Sequence, residues 1–170
     1  SPSNSAHELK REALTLFQAG RLADARDVCR HACDRDATDA VSWCLLGILN
    51  GALGDSEKAV ECLRTATRLQ PDYAEAHANL GVALEKQGQL AEALASYHEA
   101  IRLRPDQADA YYNAGNVLKA TGRLDEAVQH YRAALRIRPD DAEALVNLGA
   151  ALTMLARHTD ASTCYEQAVR

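Results

Sequence analysis

The sequence lacks a long apolar run and any excess of positive charge. No stretch approaches the roughly 18 consecutive apolar residues that a membrane-spanning helix needs, so we expect no membrane insertion. Lys and Arg number 19 against 24 Asp and Glu, which gives a net charge of −5. A nucleic-acid-binding surface needs clustered Lys and Arg to displace the counterions of the phosphates. The composition therefore argues against a membrane or a nucleic acid as partner.

The sequence also lacks the cysteine pattern of a disulfide-stabilised domain. Its five cysteines are odd in number and lie among apolar residues, which favours free buried thiols in a reducing compartment. The N-terminus has neither the basic nor the apolar part of a signal peptide, so we expect a cytoplasmic location. Because the chain has no initiating Met, we interpret it as a trimmed chain or the inside of a longer one.

Catalytic and metal-binding motifs are absent as well. The sequence has no nucleophile elbow, no phosphate-binding loop and no zinc-protease helix. The run Cys29-x-His31-x-Cys33 has metal-ligand residue types, but Cys29 and Cys33 fall on the apolar face of one predicted helix and His31 on the other. We therefore expect a chain that is not itself an enzyme and that holds no cofactor and no metal; a linked catalytic domain is compatible with this.

What the sequence does contain is a repeat of 34 residues. Pro71, Pro105 and Pro139 lie 34 positions apart, and an alanine opens each unit three residues after the proline. Within each unit the apolar spacing is helical, and a glycine interrupts it near the middle, as a helix C-terminal cap does. This predicts a helix of about 13 residues, a short turn and a second helix of similar length. One such hairpin cannot bury its own apolar face, so neighbouring units must stack. The units run approximately over residues 6–39, 40–73, 74–107, 108–141 and 142–170.

The residues at fixed places in each unit resemble the tetratricopeptide repeat family. The third repeat has His77-x-x-Leu80-Gly81-x-x-Leu84 and Ala93-x-x-x-Tyr97, and the fourth has Tyr111-x-x-Ala114-Gly115-x-x-Leu118 and Ala127-x-x-x-Tyr131. The resemblance covers essentially the whole chain. It implies an all-α fold, a right-handed α-solenoid of about five antiparallel helix-turn-helix units in a single domain over residues 1–170. It also implies a concave groove, lined by the first helices, that binds protein partners.

Small and large residues alternate in a way that predicts close helix packing. Small residues at the eighth position and at the Ala of the second helix let the two helices approach, and large residues fill the remaining gaps. Two departures from this pattern are notable. In the second repeat Asn50 replaces the usual large apolar residue, and in the fifth Ala156 replaces the mid-repeat glycine. The large gap-filling residues are Trp43, Tyr97, Tyr131 and Tyr165.

An asparagine recurs on the face of the first helices that the packing pattern leaves free. An Asn amide can accept a hydrogen bond from a peptide N–H and donate one to a peptide C=O, so a row of them can hold an extended backbone. Segments 75–81 and 109–115 resemble repeats of O-linked N-acetylglucosamine transferases, in which such a row and adjacent acidic residues hold substrate polypeptide. The alternative is that Asn is a tolerated polar residue on a solvated face. The candidate peptide-binding residues are Asn79, Asn113, Asn116, Asn147, Glu75, Asp109, Glu143, Tyr112 and Lys86.

The acidic members of this set also have a local explanation. Glu75, Asp109 and Glu143 each follow an Asp by three residues, a spacing like that of a capping box, and a carboxylate in the first turn interacts favourably with the helix dipole. On this interpretation they stabilise helix starts, and attraction of a peptide is secondary.

The first helix of the second repeat carries apolar residues on the face where the first helices of the third, fourth and fifth repeats carry the asparagines and acidic residues. Either this wall packs against another element or it forms a pocket that anchors a large side chain beside the asparagines. The residues of the possible anchor are Leu14, Val41, Leu45 and Ile48.

Three functions remain open from the sequence. The first is an interaction scaffold that binds an extended segment of an unidentified protein partner in the groove. The second is the substrate-recruiting arm of a larger transferase, glycosyltransferase-like, whose catalytic domain lies beyond Arg170. The third is self-association through the fifth repeat, which has no closing helix.

Overall fold

The computed structural model describes residues 5–169, and in that part of the chain the regular structure consists of ten α-helices without a strand. Helices of 13 and 14 residues alternate, and the tenth has 11. The predicted all-α helical-repeat fold is confirmed. The helices are α1 (Ala6–Gln18), α2 (Leu22–Arg35), α3 (Ala40–Ala52), α4 (Ser56–Leu69), α5 (Ala74–Lys86), α6 (Leu90–Leu103), α7 (Ala108–Ala120), α8 (Leu124–Ile137), α9 (Ala142–Met154) and α10 (His158–Ala168).

The helices belong to two compact units, which divide between Gln89 and Leu90. In the first unit α1 pairs with α2 and α3 with α4, while α2 packs on α3 and α5 packs on α4 and α3. In the second unit α7 pairs with α8 and α9 with α10, while α6 packs on α7 and α8 on α9. These four helix pairs are the hairpins that the sequence predicts for the first, second, fourth and fifth repeats. A single domain over residues 1–170 stays a prediction.

The turns inside the hairpins depend on a left-handed residue. Gly20, Gly54, Gly88 and Gly122 have φ between 73° and 87°, as expected for helix C-terminal caps. In the fifth repeat Ala156 takes this place with φ 59°, and it is the one residue other than glycine with positive φ in the described part of the chain. The hydrogen bonds are the same: Arg157 N–H donates to Leu152 O at 2.8 Å, as Arg123 N–H donates to Leu118 O at 2.9 Å.

The two helices of a hairpin meet at a glycine of the first helix. A Cβ placed on Gly115 would lie 2.8 Å from Tyr131 Cε1, and one on Gly149 would lie 2.7 Å from Tyr165 Cε1. In the second repeat the partner is a leucine, and a Cβ on Gly47 would lie 2.5 Å from Leu63 Cγ. Carbon atoms in contact are about 3.5–4.0 Å apart. The expected close approach of the helices at these glycines is therefore confirmed.

The five cysteines are free and buried, as the sequence predicts. Cys29 and Cys33 lie in a cluster of α1, α2, α3 and α4 with Leu45, Leu46 and Cys62, whereas His31 is exposed. Burial raises the pKa of Cys62 to about 11 and that of Cys44 to about 12. Both thiols are consequently protonated and uncharged at neutral pH.

We expect Ala156→Gly to stabilise the chain. A left-handed conformation costs a residue with a Cβ about 1–2 kcal/mol, and the greater freedom of glycine in the unfolded chain offsets roughly half of that. Urea unfolding should show an increase of about 0.5–1 kcal/mol in the free energy of unfolding. The matched control Gly122→Ala should lower it by a similar amount. A decrease on Ala156→Gly would contradict the assigned turn.

Ala127→Leu should destabilise the second unit by about 1–3 kcal/mol, because Ala127 is fully buried where α8 meets its neighbours and extra methylenes overpack such a contact. Thermal unfolding measures the effect. The control is Ala95→Leu at an exposed place on α6, for which we expect a change within about 0.5 kcal/mol. Equal midpoints for Ala127→Leu and wild type would refute the close contact.

Candidate functional site

A cavity of about 210 Å³ lies among α3, α4 and α5 of the first unit. We call it the groove cavity. Its apolar lining includes Ile48, Leu63 and Val82, its polar lining includes Asn79, and exposed Lys86 stands at its edge. The other residues in the lining of the groove cavity are uncharged, so Lys86 supplies its charge. The groove cavity thus combines apolar walls, an amide and a cation, which is the usual make-up of a ligand site.

The groove cavity lies at two places where the second repeat carries smaller residues than the third, fourth and fifth repeats. Leu63 stands where the third, fourth and fifth repeats have Tyr, and Gly51 stands where they have Glu85, Lys119 and Thr153. A Cβ on Gly51 would lie 3.6 Å from Ala59 Cβ, an ordinary contact, so close packing does not require glycine there. Glycine in a helix interior costs about 1 kcal/mol relative to Ala. The open space is therefore kept at some expense of stability.

Asn79 lies half-buried in the lining of the groove cavity. Its Nδ2 donates to Glu75 O of the preceding turn at 2.9 Å. This bond fixes the orientation of the amide and leaves the side-chain oxygen as the acceptor. The candidates Asn79 and Lys86 are therefore brought together with Ile48 around one opening.

Of the four residues proposed as an apolar anchor, the structure places only Ile48 in the groove cavity. Leu45 is unsuited to this role: it is 6% exposed and belongs to the buried cluster with Cys29, Cys33 and Leu46. The physical reason is that α2 covers this side of α3. Leu14 and Val41 are 39% and 40% exposed on the surface of the first unit.

In the second unit Asn147 belongs to a polar network with Tyr112, Lys119 and Glu143. Asn147 Nδ2 donates to Tyr112 Oη at 3.0 Å and to Glu143 O at 3.1 Å, and Lys119 Nζ donates to Asn147 Oδ1. Tyr112 O–H in turn donates to Glu143 Oε2 at 3.4 Å. The amide of Asn147 is therefore engaged on both its nitrogen and its oxygen, and it links α7 to α9.

Asn116 and Asn113 differ although both lie on α7. Asn116 Oδ1 accepts a hydrogen bond from Tyr131 O–H at 2.7 Å and so joins α7 to α8 within one repeat. Asn113 is half-buried and has no side-chain hydrogen bond to any residue in the described range 5–169. The four asparagines are thus unequal: Asn116 and Asn147 hold the protein's own groups, while Asn79 and Asn113 keep capacity for a ligand.

The capping-box interpretation of the acidic residues is wrong. The N-cap residues of α5, α7 and α9 are Tyr73, Gln107 and Asp141, one position after the Asp that the spacing suggested. Glu75 and Asp109 do lie in the first turn of their helices, so the dipole argument stands. Asp109 also forms an ion pair with Arg138.

Sequence reasoning missed Lys119, Gly51 and Leu63. Lys119 engages Asn147 Oδ1 from the neighbouring first helix, 28 residues away in the chain, which the periodicity of a single helix does not reveal. The signal for Gly51 and Leu63 was present in the repeat alignment, where both are smaller than their counterparts in the third, fourth and fifth repeats.

Two negative findings concern residues 5–169. No three His, Cys, Asp or Glu side chains there come together as a metal site would require. No helix within the same range has both the length and the apolar character needed to cross a bilayer.

We expect Asn116→Ala to destabilise the protein and Asn113→Ala to leave stability unchanged. The first substitution removes the acceptor of the Tyr131 hydroxyl, a hydrogen bond worth about 0.5–1.5 kcal/mol net, whereas the second should stay within about 0.5 kcal/mol. Urea unfolding of Asn116→Ala, Tyr131→Phe and the double variant measures the coupling energy. Additive effects, or an equal loss for Asn113→Ala, would contradict the assigned roles.

Comparison with known proteins gives one curated relative and several similar folds. The chain is 33% identical over 88 residues to the probable biofilm formation methyltransferase WspC of Pseudomonas putida, a match that covers 52% of this chain and 21% of that protein. The chain thus spans about a fifth of the length of this relative.

Among solved structures, MamA of Desulfovibrio magneticus RS-1 is similar with a TM-score of 0.90 and 20% identity, over 99% of this chain and 96% of that one. YrrB, described as a TPR protein with an unusual peptide-binding site, is similar with a TM-score of 0.82 and 22% identity, over 97% of this chain and 85% of that one. At these identities the likeness shows the fold alone.

Three family models match overlapping parts of the chain. A model described as tetratricopeptide repeat matches residues 44–108, a second with the same description matches 97–129, and a model described as TPR repeat matches 115–155. The matches, the 34-residue period and the helical hairpins agree with one another. Residues 44–155 of the chain therefore consist of tetratricopeptide repeats.

Proposed function

We propose that this chain is an interaction scaffold that binds an extended segment of a partner protein, with an apolar side chain of that segment in the groove cavity. The observation that carries the proposal is the groove cavity itself, where Ile48, Leu63 and Val82 form apolar walls beside the Asn79 amide. A partly open apolar cavity next to an oriented polar group supports both the affinity and the orientation of a bound side chain.

The lining residues of the groove cavity contribute different interactions with the bound segment. Burial of a Leu-sized side chain against Ile48 and Val82 is worth about 1.5–3 kcal/mol. The free oxygen of Asn79 accepts a peptide N–H, a bond worth roughly 0.5–1.5 kcal/mol net. Lys86 stands at the edge, where it attracts a carboxylate of the partner.

The second unit carries candidate peptide contacts of its own. Asn113 has both hydrogen-bonding groups of its amide available, so it can accept from and donate to a peptide bond. Asn147 Nδ2 donates to the hydroxyl of Tyr112, and that hydroxyl donates to the carboxylate of Glu143. Asn116 supports this face through Tyr131. Two further points support a peptide ligand. Segments 75–81 and 109–115 resemble transferase repeats that hold polypeptide, and a peptide-binding site is described for YrrB.

The groove cavity can be tested with two short peptides, acetyl-Gly-Gly-Leu-Gly-Gly-amide and its Ala counterpart. We expect the Leu peptide to shift the backbone amide NMR signals of residues 47–52 and 79–86 in a saturable way. The Ala peptide should bind about tenfold more weakly, since it loses at least 1.4 kcal/mol of apolar burial. Leu63→Tyr fills the cavity with the residue that the third, fourth and fifth repeats carry at this place, and it should abolish the difference in affinity between the two peptides.

The control variant is Val41→Thr, which changes an exposed apolar residue of the same helix that does not line the groove cavity. It should bind the Leu peptide as wild type does. Equal affinity for the two peptides in the wild type, or unchanged discrimination in a folded Leu63→Tyr variant, would contradict the proposal.

A second candidate function is the substrate-recruiting arm of a larger transferase. The observation that favours it is the match to a probable methyltransferase, of which the chain spans 21%. The coding sequence after Arg170 tests it: a transferase domain in the same reading frame supports the arm, and a stop codon or further repeats refutes it.

Self-association is a third candidate, favoured by the exposed apolar side chains of Val146, Met154, Tyr165 and Val169 on and after α9. Sedimentation of the chain over a wide concentration range tests it. Growth of a dimer with concentration supports this candidate, and a monomer at all concentrations refutes it.

A further inference from the structure

We propose a second binding site on the opposite side of α3, a cavity of about 260 Å³ among α2, α3 and α4 that takes the carboxylate of an acidic peptide side chain. We call it the Asn50 cavity. Its floor is formed by Leu46, Asn50 and Cys62, all buried, and its rim by Arg26, Arg30, Lys58 and Glu61.

Asn50 is the residue that the repeat pattern leaves unexplained. It is 3% exposed at the place where the other repeats carry leucine, and Leu84, Leu118 and Leu152 are buried there. Its Nδ2 donates to Cys62 Sγ at 3.7 Å, a long bond to a weak acceptor. Burying an amide is unfavourable unless its polar atoms are hydrogen-bonded. A carboxylate in the Asn50 cavity would accept a hydrogen bond from Asn50 Nδ2 and so give this N–H group a stronger acceptor than the Cys62 sulfur.

The rim offers cations whose hydrogen-bonding capacity is mostly unused. Arg26 and Arg30 lie one turn apart on α2, and both approach the same atom, Asp27 Oδ1, at 3.2 and 3.6 Å. A guanidinium has five N–H donors, and exposed ion pairs of this kind contribute little to stability. Both side chains are therefore free to turn toward a carboxylate, for which the guanidinium has a matching two-pronged geometry.

The charged side chains that line the Asn50 cavity favour an anion. Three cations and one acid line the Asn50 cavity, and the floor is uncharged because burial raises the pKa of Cys62 to about 11. Two carboxylates outside the lining compete with a ligand for these cations. Asp27 Oδ1 is approached by both arginines, and Asp55 Oδ2 lies 2.6 Å from Lys58 Nζ. A single carboxylate on a short aliphatic stem suits this arrangement: the stem contacts Leu46, and the oxygens accept from Arg26, Arg30 and Asn50.

The Asn50 cavity is separate from the groove cavity. On α3 it uses Leu46 and Asn50, whereas the groove cavity uses Gly47, Ile48 and Gly51. The inference therefore goes beyond the proposed function, and either site can exist without the other.

The test compares acetyl-Gly-Glu-Gly-amide with acetyl-Gly-Gln-Gly-amide by NMR titration of the wild-type chain. We expect the Glu peptide to give saturable shifts in the Asn50 side-chain amide and in residues 26–30 and 58–62. The Gln peptide should bind at least tenfold more weakly, and added salt should weaken the Glu peptide because the contact is ionic.

Two variants and a control separate binding from folding. Asn50→Leu restores the residue of the other repeats, so it should fold and lose at least tenfold in affinity for the Glu peptide. Arg26→Gln with Arg30→Gln should show the same loss. Arg102→Gln, an exposed arginine of the second unit, should bind as wild type does.

The proposal is overturned if the wild type shows no saturable shifts, if the two peptides bind equally, or if folded Asn50→Leu binds as the wild type does. Preference for inorganic phosphate over the Glu peptide would also overturn it. Binding of the Leu pentapeptide to the groove cavity should survive Asn50→Leu, so failure of one site is distinguishable from failure of the other.

Discussion

The close approach of two helices at a glycine is the constraint on which the structure depends. At Gly47, Gly115 and Gly149 a Cβ would clash with the side chain that faces the glycine from the second helix. The size of that facing side chain therefore decides how much of the space between the two helices is filled. Where it is Tyr131, the ring packs on the glycine and the hydroxyl reaches Asn116. Where it is Leu63, the contact persists but the space beyond it stays open as the groove cavity.

The second repeat differs from the third, fourth and fifth repeats at three places that affect packing. Asn50 places an amide in the core, Gly51 places a glycine in a helix interior, and Leu63 replaces a tyrosine. The buried amide and the glycine in a helix interior are expected to lower stability, and all three residues border a cavity. Positions at which a sequence departs from otherwise consistent rules are often functional. This connects the packing of the hairpin to the two proposed sites.

The sequence predicted the helices and turns well because a 34-residue period and four glycines fix them. Ala156 was recognised as a departure, and the structure shows it in the conformation of a glycine. The helix starts were less well predicted: Asp72, Asp106 and Asp140 precede the N-cap by one residue, because the turn after each second helix extends one position further.

The site was predicted in part, since periodicity gives the face of a residue but not its partners. It grouped Leu45 with Val41 and Ile48, although α2 covers Leu45. It treated four asparagines alike, although Tyr131 engages Asn116 and Lys119 engages Asn147. A hydrogen-bond partner that lies 15 or 28 residues away in the chain cannot be identified from the periodicity of one helix.

The packing of the second repeat implies that it keeps two cavities open at the expense of stability. The free energy of urea unfolding of the double variant Asn50→Leu/Leu63→Tyr tests this directly, because the variant introduces the residues that the third, fourth and fifth repeats carry at these places. We expect an increase of about 1–3 kcal/mol over the wild type, from burial of apolar groups and removal of a poorly bonded amide. A decrease would show that the wild-type residues already pack best in this repeat, and it would contradict the link between the two cavities and reduced stability.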